Sequence, residues 1–190
     1  MTTAADTKRW TGPGGLLNTR YHRAALAVFM VVVIGHWAEH IVQAVQIYAL
    51  HWPRPAAGGL LGLAFPWLVT SEWLHYGYAV VMLVGFVLLR HGFVGRGRSW
   101  WHAALWIQVW HHFEHLLLLL QAMTGAYLMG RAVPTSVAQL VFPRVELHLF
   151  YNTIVFVPMV VAMVHHLRPR PTEAASMGCS CARVPATAAG

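Results

Sequence analysis

Charge is scarce in this chain of 190 residues: Asp, Glu, Lys and Arg make up 10% of it, and only six residues are acidic. A soluble domain ordinarily carries about 25% charged residues, so a water-facing globule is excluded. Cysteine is scarcer still, with Cys179 and Cys181 near the C-terminus as the whole complement. That excludes a disulfide framework and leaves the central His and Glu motifs without sulfur ligands. No flavin, haem-attachment or iron–sulfur motif is present. The net charge of +7 is spread over three loops and forms no stripe, so a nucleic-acid partner is not expected.

What the chain has instead is hydrophobic content, at 57% with a mean hydropathy of +0.52. Four segments exceed the roughly 20 apolar residues that a spanning helix needs: 24–50, 67–89, 101–129 and 145–167. The expected fold is an all-α integral membrane protein, a four-helix transmembrane bundle in the lipid bilayer of the cell membrane. Its parts are an N-terminal tail (1–23), a four-span membrane domain (24–167) and a disordered C-terminal tail (168–190). Lys8, Arg9, Arg20, Arg23, Arg90, Arg96, Arg98, Arg168, Arg170 and Arg183 fall on one side of such a bundle, and Arg54, Arg131 and Arg144 on the other. Cytoplasmic flanks carry the excess of Lys and Arg, so both termini are expected in the cytoplasm.

Against this background four acidic residues are misplaced. Glu39, Glu72, Glu114 and Glu146 fall one in or at the start of each apolar segment, each with a histidine within four positions. A lone charged residue at the bilayer centre costs roughly 2.5–3.5 kcal/mol, so each carboxylate needs a partner.

A weak internal repeat organises these residues. HWAEH at 36–40 aligns with HHFEH at 111–115, Gln46 then falls on Gln121, and Leu74-His75-x-x-Tyr78 matches Leu147-His148-x-x-Tyr151. Two repeated helical hairpins, about 24–90 and 101–167, are expected. The apolar connectors 56–66 and 133–143 are expected to fold as short helices or re-entrant segments over the site, with Pro66 and Pro143 at or near the first turn of the helices that follow.

Helical spacing then gives a candidate metal site. At about 100° per residue His36, Glu39 and His40 share one face, as do His111, Glu114 and His115. Glu72 and His75 have the Glu-x-x-His spacing of dinuclear carboxylate proteins. Glu146 and His148 are two apart and point in different directions, which makes Glu146 the weakest candidate. These ten residues form the expected ligand set for two divalent metal ions, iron favoured, manganese or zinc possible. Tyr78 and Tyr151 are the candidate catalytic residues, as relays for protons or electrons. Haem b between facing histidines is an alternative cofactor.

The HxxEH order differs from the HExxH of zinc proteases, since its Glu lies on the face of both histidines. In ligand chemistry the HxxxH spacings, His36 to His40 and His111 to His115, resemble the histidine boxes of membrane hydroxylases and desaturases. The chain lacks the paired HxxHH boxes of that family and carries a Glu in each cluster. The expected function is a metal-dependent membrane oxidoreductase that uses O2 on a hydrophobic small-molecule substrate, as hydroxylase, desaturase or oxidase, with electrons from a separate donor or quinol. A transition-metal transporter or sensor using the same residues, or a b-type cytochrome, is the alternative.

Overall fold

The computed structural model describes residues 14–182. Lys8, Arg9 and Arg183 lie outside them, as do the ends of both expected tails. All regular structure among the described residues is helical: α1 (Gly15–Asn18), α2 (His22–Ala44), α3 (Gly59–Ala64), α4 (Pro66–Val69), α5 (Glu72–Leu89), α6 (Gly95–Thr124), α7 (Arg144–Leu167) and α8 (Pro171–Ser176).

Three stretches, His22–Ala49, Glu72–Gly92 and Arg144–Leu167, are long and apolar enough to cross a membrane. Much of their apolar surface faces outward, including Val28, Val31, Val81 and Val157. Exposed aliphatic surface on this scale is a liability in water and a match for lipid. The remaining long helix, α6, falls short of the same hydropathy. His111, His112, His115, Gln108 and Gln121 lower its average.

Helix ends depart from the apolar runs where backbone chemistry intervenes. Pro66 opens α4 and not the long helix, and α5 begins only at Glu72. Helix α6 stops at Thr124 because Gly125 takes a left-handed conformation (φ +70°), a common helix terminator. Helix α2 ends in a π-helical turn, Val45–Ala49, which redirects Gln46 and Tyr48 relative to α-helical phase. Short helical turns do occupy the connectors: Arg54–Ala56, α3 and α4 in the first, Ala138–Leu140 in the second.

Contacts divide the chain into two units. One comprises residues 14–30, Val84–Leu105 and 156–182. Its core is aromatic: Trp101 and Phe86 are wholly buried, Phe93 stacks on Trp101 at 4.2 Å, and the Trp101 indole N–H donates to the Phe86 carbonyl at 2.9 Å. Asn18 supplies the corner, donating to Leu88 O at 2.7 Å and accepting from Gly92 N at 2.8 Å. Disorder was the expectation from residue 168 onward, but residues 168–182 are ordered here. Glu173 explains this, because it accepts from the Arg96 backbone N–H (3.0 Å), the Arg96 guanidinium (3.0 Å) and Arg170 N (2.9 Å). The guanidinium holds the Glu173 carboxyl well below the usual carboxylate range.

The other unit comprises Val31–Leu83 and Trp106–Val155. It contains all ten candidate ligands and both candidate tyrosines.

Candidate metal centre

Within the second unit the six imidazoles of His36, His40, His75, His111, His115 and His148 come together. His36 and His40, one helical turn apart on α2, bring their Nε2 atoms to 3.0 Å. The same spacing on α6 brings the Nε2 atoms of His111 and His115 to 3.1 Å. His148 on α7 touches both pairs, with ring centroids 5.6 Å from His40, 5.2 Å from His115 and 6.0 Å from His111. His75 on α5 completes the set, 5.8 Å from His148 and 6.1 Å from His115.

Backbone and amide contacts set the ring tautomers. His75 Nδ1 donates to the Ser71 carbonyl at 2.9 Å and His148 Nδ1 to the Arg144 carbonyl at 2.8 Å. A carbonyl only accepts, so in a neutral ring Nε2 carries the lone pair. His40 Nδ1 meets Gln43 Oε1 at 2.8 Å with the same result. Anchoring one ring nitrogen leaves the other for a metal in His75 and His148, the arrangement seen around metal-binding histidines generally, whereas His40 Nε2 lies at hydrogen-bond distance from His36 Nε2. The His148 Nε2 is buried with no hydrogen-bond partner. Such a group is costly unless something not visible satisfies it.

The carboxylates each have partners within the protein. Glu72 is held by a bidentate fork from Arg144 at 2.6 and 2.7 Å. Glu146 is held by Arg54 at 2.5 and 2.9 Å and by the Tyr48 hydroxyl, and this pairing raises the Arg54 pKa. Arginines near the connectors therefore answer two of the four carboxylates. Glu39 accepts from the Leu60 and Leu61 amides at 2.7 and 3.0 Å, capping the first turn of α3. A carboxylate there also favours the positive end of the helix dipole. Glu114 accepts from Ala138 N at 3.3 Å. Both still border the imidazoles: Glu39 lines a cavity with His36, His40 and His75, and Glu114 one with His111, His115 and His148.

The same contacts occur at corresponding positions along the chain. Gln46 clamps Gly59, donating to its carbonyl at 3.3 Å and accepting from its N–H at 2.9 Å. Gln121 clamps Thr135 in the same way, at 2.9 and 3.3 Å. Tyr78 stacks on His36 with ring centroids 3.4 Å apart, and Tyr151 stacks on His111 at 4.6 Å. Tyr151 further accepts from the Trp110 indole at 2.8 Å. Both tyrosines thus lie against the imidazoles.

Among the described residues, one group of three metal-type side chains has all its donor atoms within 4.8 Å, and it is His166, Cys179 and Cys181 in the first unit. In the imidazole centre the donors meet as pairs, and a third joins a pair only by ring rotation. Sequence reasoning missed the role of Arg54 and Arg144, which lie 92 and 72 residues from their partners. The only available signal was that these two arginines flank apolar connectors.

No family model, curated protein or solved structure matches this chain.

Proposed function

We propose that the chain is a membrane-embedded, metal-dependent oxidoreductase holding two first-row transition-metal ions on the six-imidazole centre and acting with O2 on an apolar substrate. The observation that supports it most is the pair of Nε2···Nε2 separations, 3.0 and 3.1 Å. Two imidazoles each bound about 2.0–2.1 Å from one ion, at angles between square and tetrahedral, lie about 2.9–3.4 Å apart. One ion would sit at the His36–His40 pair and the other at the His111–His115 pair, with His75 and His148 beside them. The four long helices then cross the bilayer as two repeated hairpins with both termini cytoplasmic, in line with the distribution of Arg and Lys.

Commitment of Glu72 and Glu146 to arginines makes the donor set richer in nitrogen than the sequence implied. Imidazole suits iron, copper and zinc, whereas manganese prefers oxygen. Iron stays the first choice, because Glu39 and Glu114 border the rings and supply one oxygen donor to each set. When bound, such ions would supply the redox chemistry with O2. The protein supplies the surroundings. A cavity of about 400 Å³ beside His36 and Tyr78 is walled by Val31, Val32, Leu61, Val69 and Leu74, a size and polarity suited to a small apolar substrate. Electrons come from a separate donor or quinol.

A transition-metal transporter or sensor is the second reading, favoured by one observation. An open cavity of about 270 Å³ reaches His40, His75 and His148 past Arg54 and Arg144, a route for an ion. Haem b fits less well, because rings 4.5–6.1 Å apart leave no slot for a macrocycle. The test is purification in mild detergent with metal analysis and a visible spectrum. About two irons per chain without a Soret band supports the oxidoreductase. A Soret band selects haem, metal uptake by sealed vesicles selects transport, and a metal-free, metal-refusing protein ends both metal readings.

A further inference from the structure

The segment after α7 carries a second constellation that the oxidoreductase reading does not use. Cys179 Sγ lies 3.6 Å from His166 Nε2, and the donor atoms of His166, Cys179 and Cys181 all fall within 4.8 Å of one another. His166 and Cys179 are buried, at 3% and 5% exposure. The cysteines are free, and the His166 Nδ1 has no hydrogen-bond partner.

Their loop is fixed in place. Ser180, between the two cysteines, donates its N–H to the Thr19 carbonyl at 2.8 Å and accepts from Arg23 N at 3.2 Å. Upstream, Glu173 locks the same segment to Arg96. Burial of one thiol and an imidazole, with the second thiol half-buried beside them in a pinned loop, is more order than a Cys-x-Cys tail needs for its own sake. Hydrogen bonding from Cys181, with His166 adding to it, holds the Cys179 thiol well below the ordinary thiol range, while Cys179 pushes Cys181 up.

We propose that His166, Cys179 and Cys181 form a metal site separate in chemistry from the imidazole centre, which binds one soft ion, Cu(I) or Zn(II). Thiolates select these ions over iron and manganese. Cu(I) is satisfied by the three donors present, and each thiol releases its proton as its sulfur binds. Zn(II) takes four ligands, and His22 is the residue at hand for the fourth place. It packs edge-on against His166 at 5.2 Å, is wholly buried, and has both ring nitrogens outside any hydrogen bond.

The experiment uses the full chain in mild detergent under anaerobic reducing conditions, titrated with Cu(I) against a chromophoric chelator and separately with Zn(II). The expected result is one equivalent bound with ultraviolet thiolate-to-copper absorption for Cu(I), and protection of both thiols from an alkylating reagent. A Cys179→Ser/Cys181→Ser double variant loses that equivalent and keeps whatever metal the imidazole centre holds. His166→Gln weakens binding by on the order of tenfold or more, with helical circular dichroism unchanged. Zinc binding that disappears in His22→Gln assigns the site to zinc; Cu(I) binding that survives it assigns copper. Equal metal content in the double variant and the parent overturns the proposal, as do thiols that remain fully reactive with metal present. A Cys179–Cys181 disulfide whose reduction brings no metal uptake overturns it too. None of these outcomes depends on whether the imidazole centre holds iron.

Discussion

The two contact units handle a water-poor interior in opposite ways. Around Trp101 the first unit buries apolar rings and pairs the Trp101 indole and the Asn18 amide, leaving unpartnered nitrogens on His22 and His166 beside the Cys-x-Cys loop. The second buries six imidazoles and leaves the His148 Nε2 without a partner. Packing of the first kind stabilises the fold, whereas an unsatisfied buried lone pair among five other imidazoles lowers stability. Structure and chemistry are therefore separable by mutation.

Trp101→Ala should produce the largest change, a loss of about 3–5 kcal/mol as for other buried aromatic truncations. Metal per folded chain should stay constant, and thermal unfolding paired with metal analysis checks both halves of that statement. His148→Ala should do the reverse: metal content falls while the metal-free protein is as stable as the parent. Were the apo protein clearly destabilised instead, His148 would be a packing residue and the contrast between the units would collapse.

The Gln clamps come next. Gln46→Leu and Gln121→Leu each strand a buried N–H and C=O, for about 1–3 kcal/mol apiece. The two losses should add in the double variant if the connectors act independently. Glu146→Gln is expected to cost no more than about 1 kcal/mol, since both partners of the Arg54 pair are partly exposed and such pairs contribute little. Metal content should be unchanged. A loss of metal in Glu146→Gln would return Glu146 to the ligand set and weaken the ion-pair assignment.

The smallest effect concerns pH in the first unit. Because Arg96 lowers the folded-state pKa of Glu173, the contact stabilises the segment at pH values above the ordinary Glu pKa of about 4.3. It weakens as the pH falls from there towards the folded value. Hydrogen exchange in residues 168–182 should rise across that acid range in the parent. In Glu173→Gln it should be high at every pH.

Much of this was legible in the residue pattern. The i to i+4 spacing of His36 with His40 and of His111 with His115 fixes which rings meet, because one helical turn allows little else. Correspondence of Gln46 with Gln121 was visible too, although not what the amides grip. The ion pairs of the carboxylates were not legible because sequence shows a charge in an apolar segment without showing its opposite. Arg54 and Arg144 reach Glu146 and Glu72 only after the connectors fold back. Helix α5 starts late for a related reason: the apolar run continues through Phe65 and Pro66, but Pro66 opens a separate short helix. The Cys-x-Cys segment looked disordered from its Pro, Ala and Gly content, and its order depends on Ser180 and Glu173 meeting residues far away in the chain.

Gly59 has a consequence for how the two connectors tolerate change. Its φ is +74°, and a Cβ there would lie 2.2 Å from Glu39 Oε2, so a side chain is strained by the backbone and displaces the carboxylate that caps α3. Thr135, gripped by Gln121 in the corresponding place, already carries a β-branched side chain. In a library randomising both codons, position 59 should return glycine almost alone, while position 135 should accept serine, alanine and valine. The two connectors have the same clamp but unequal freedom to drift, and a chimera duplicating the second connector would inherit the more permissive one.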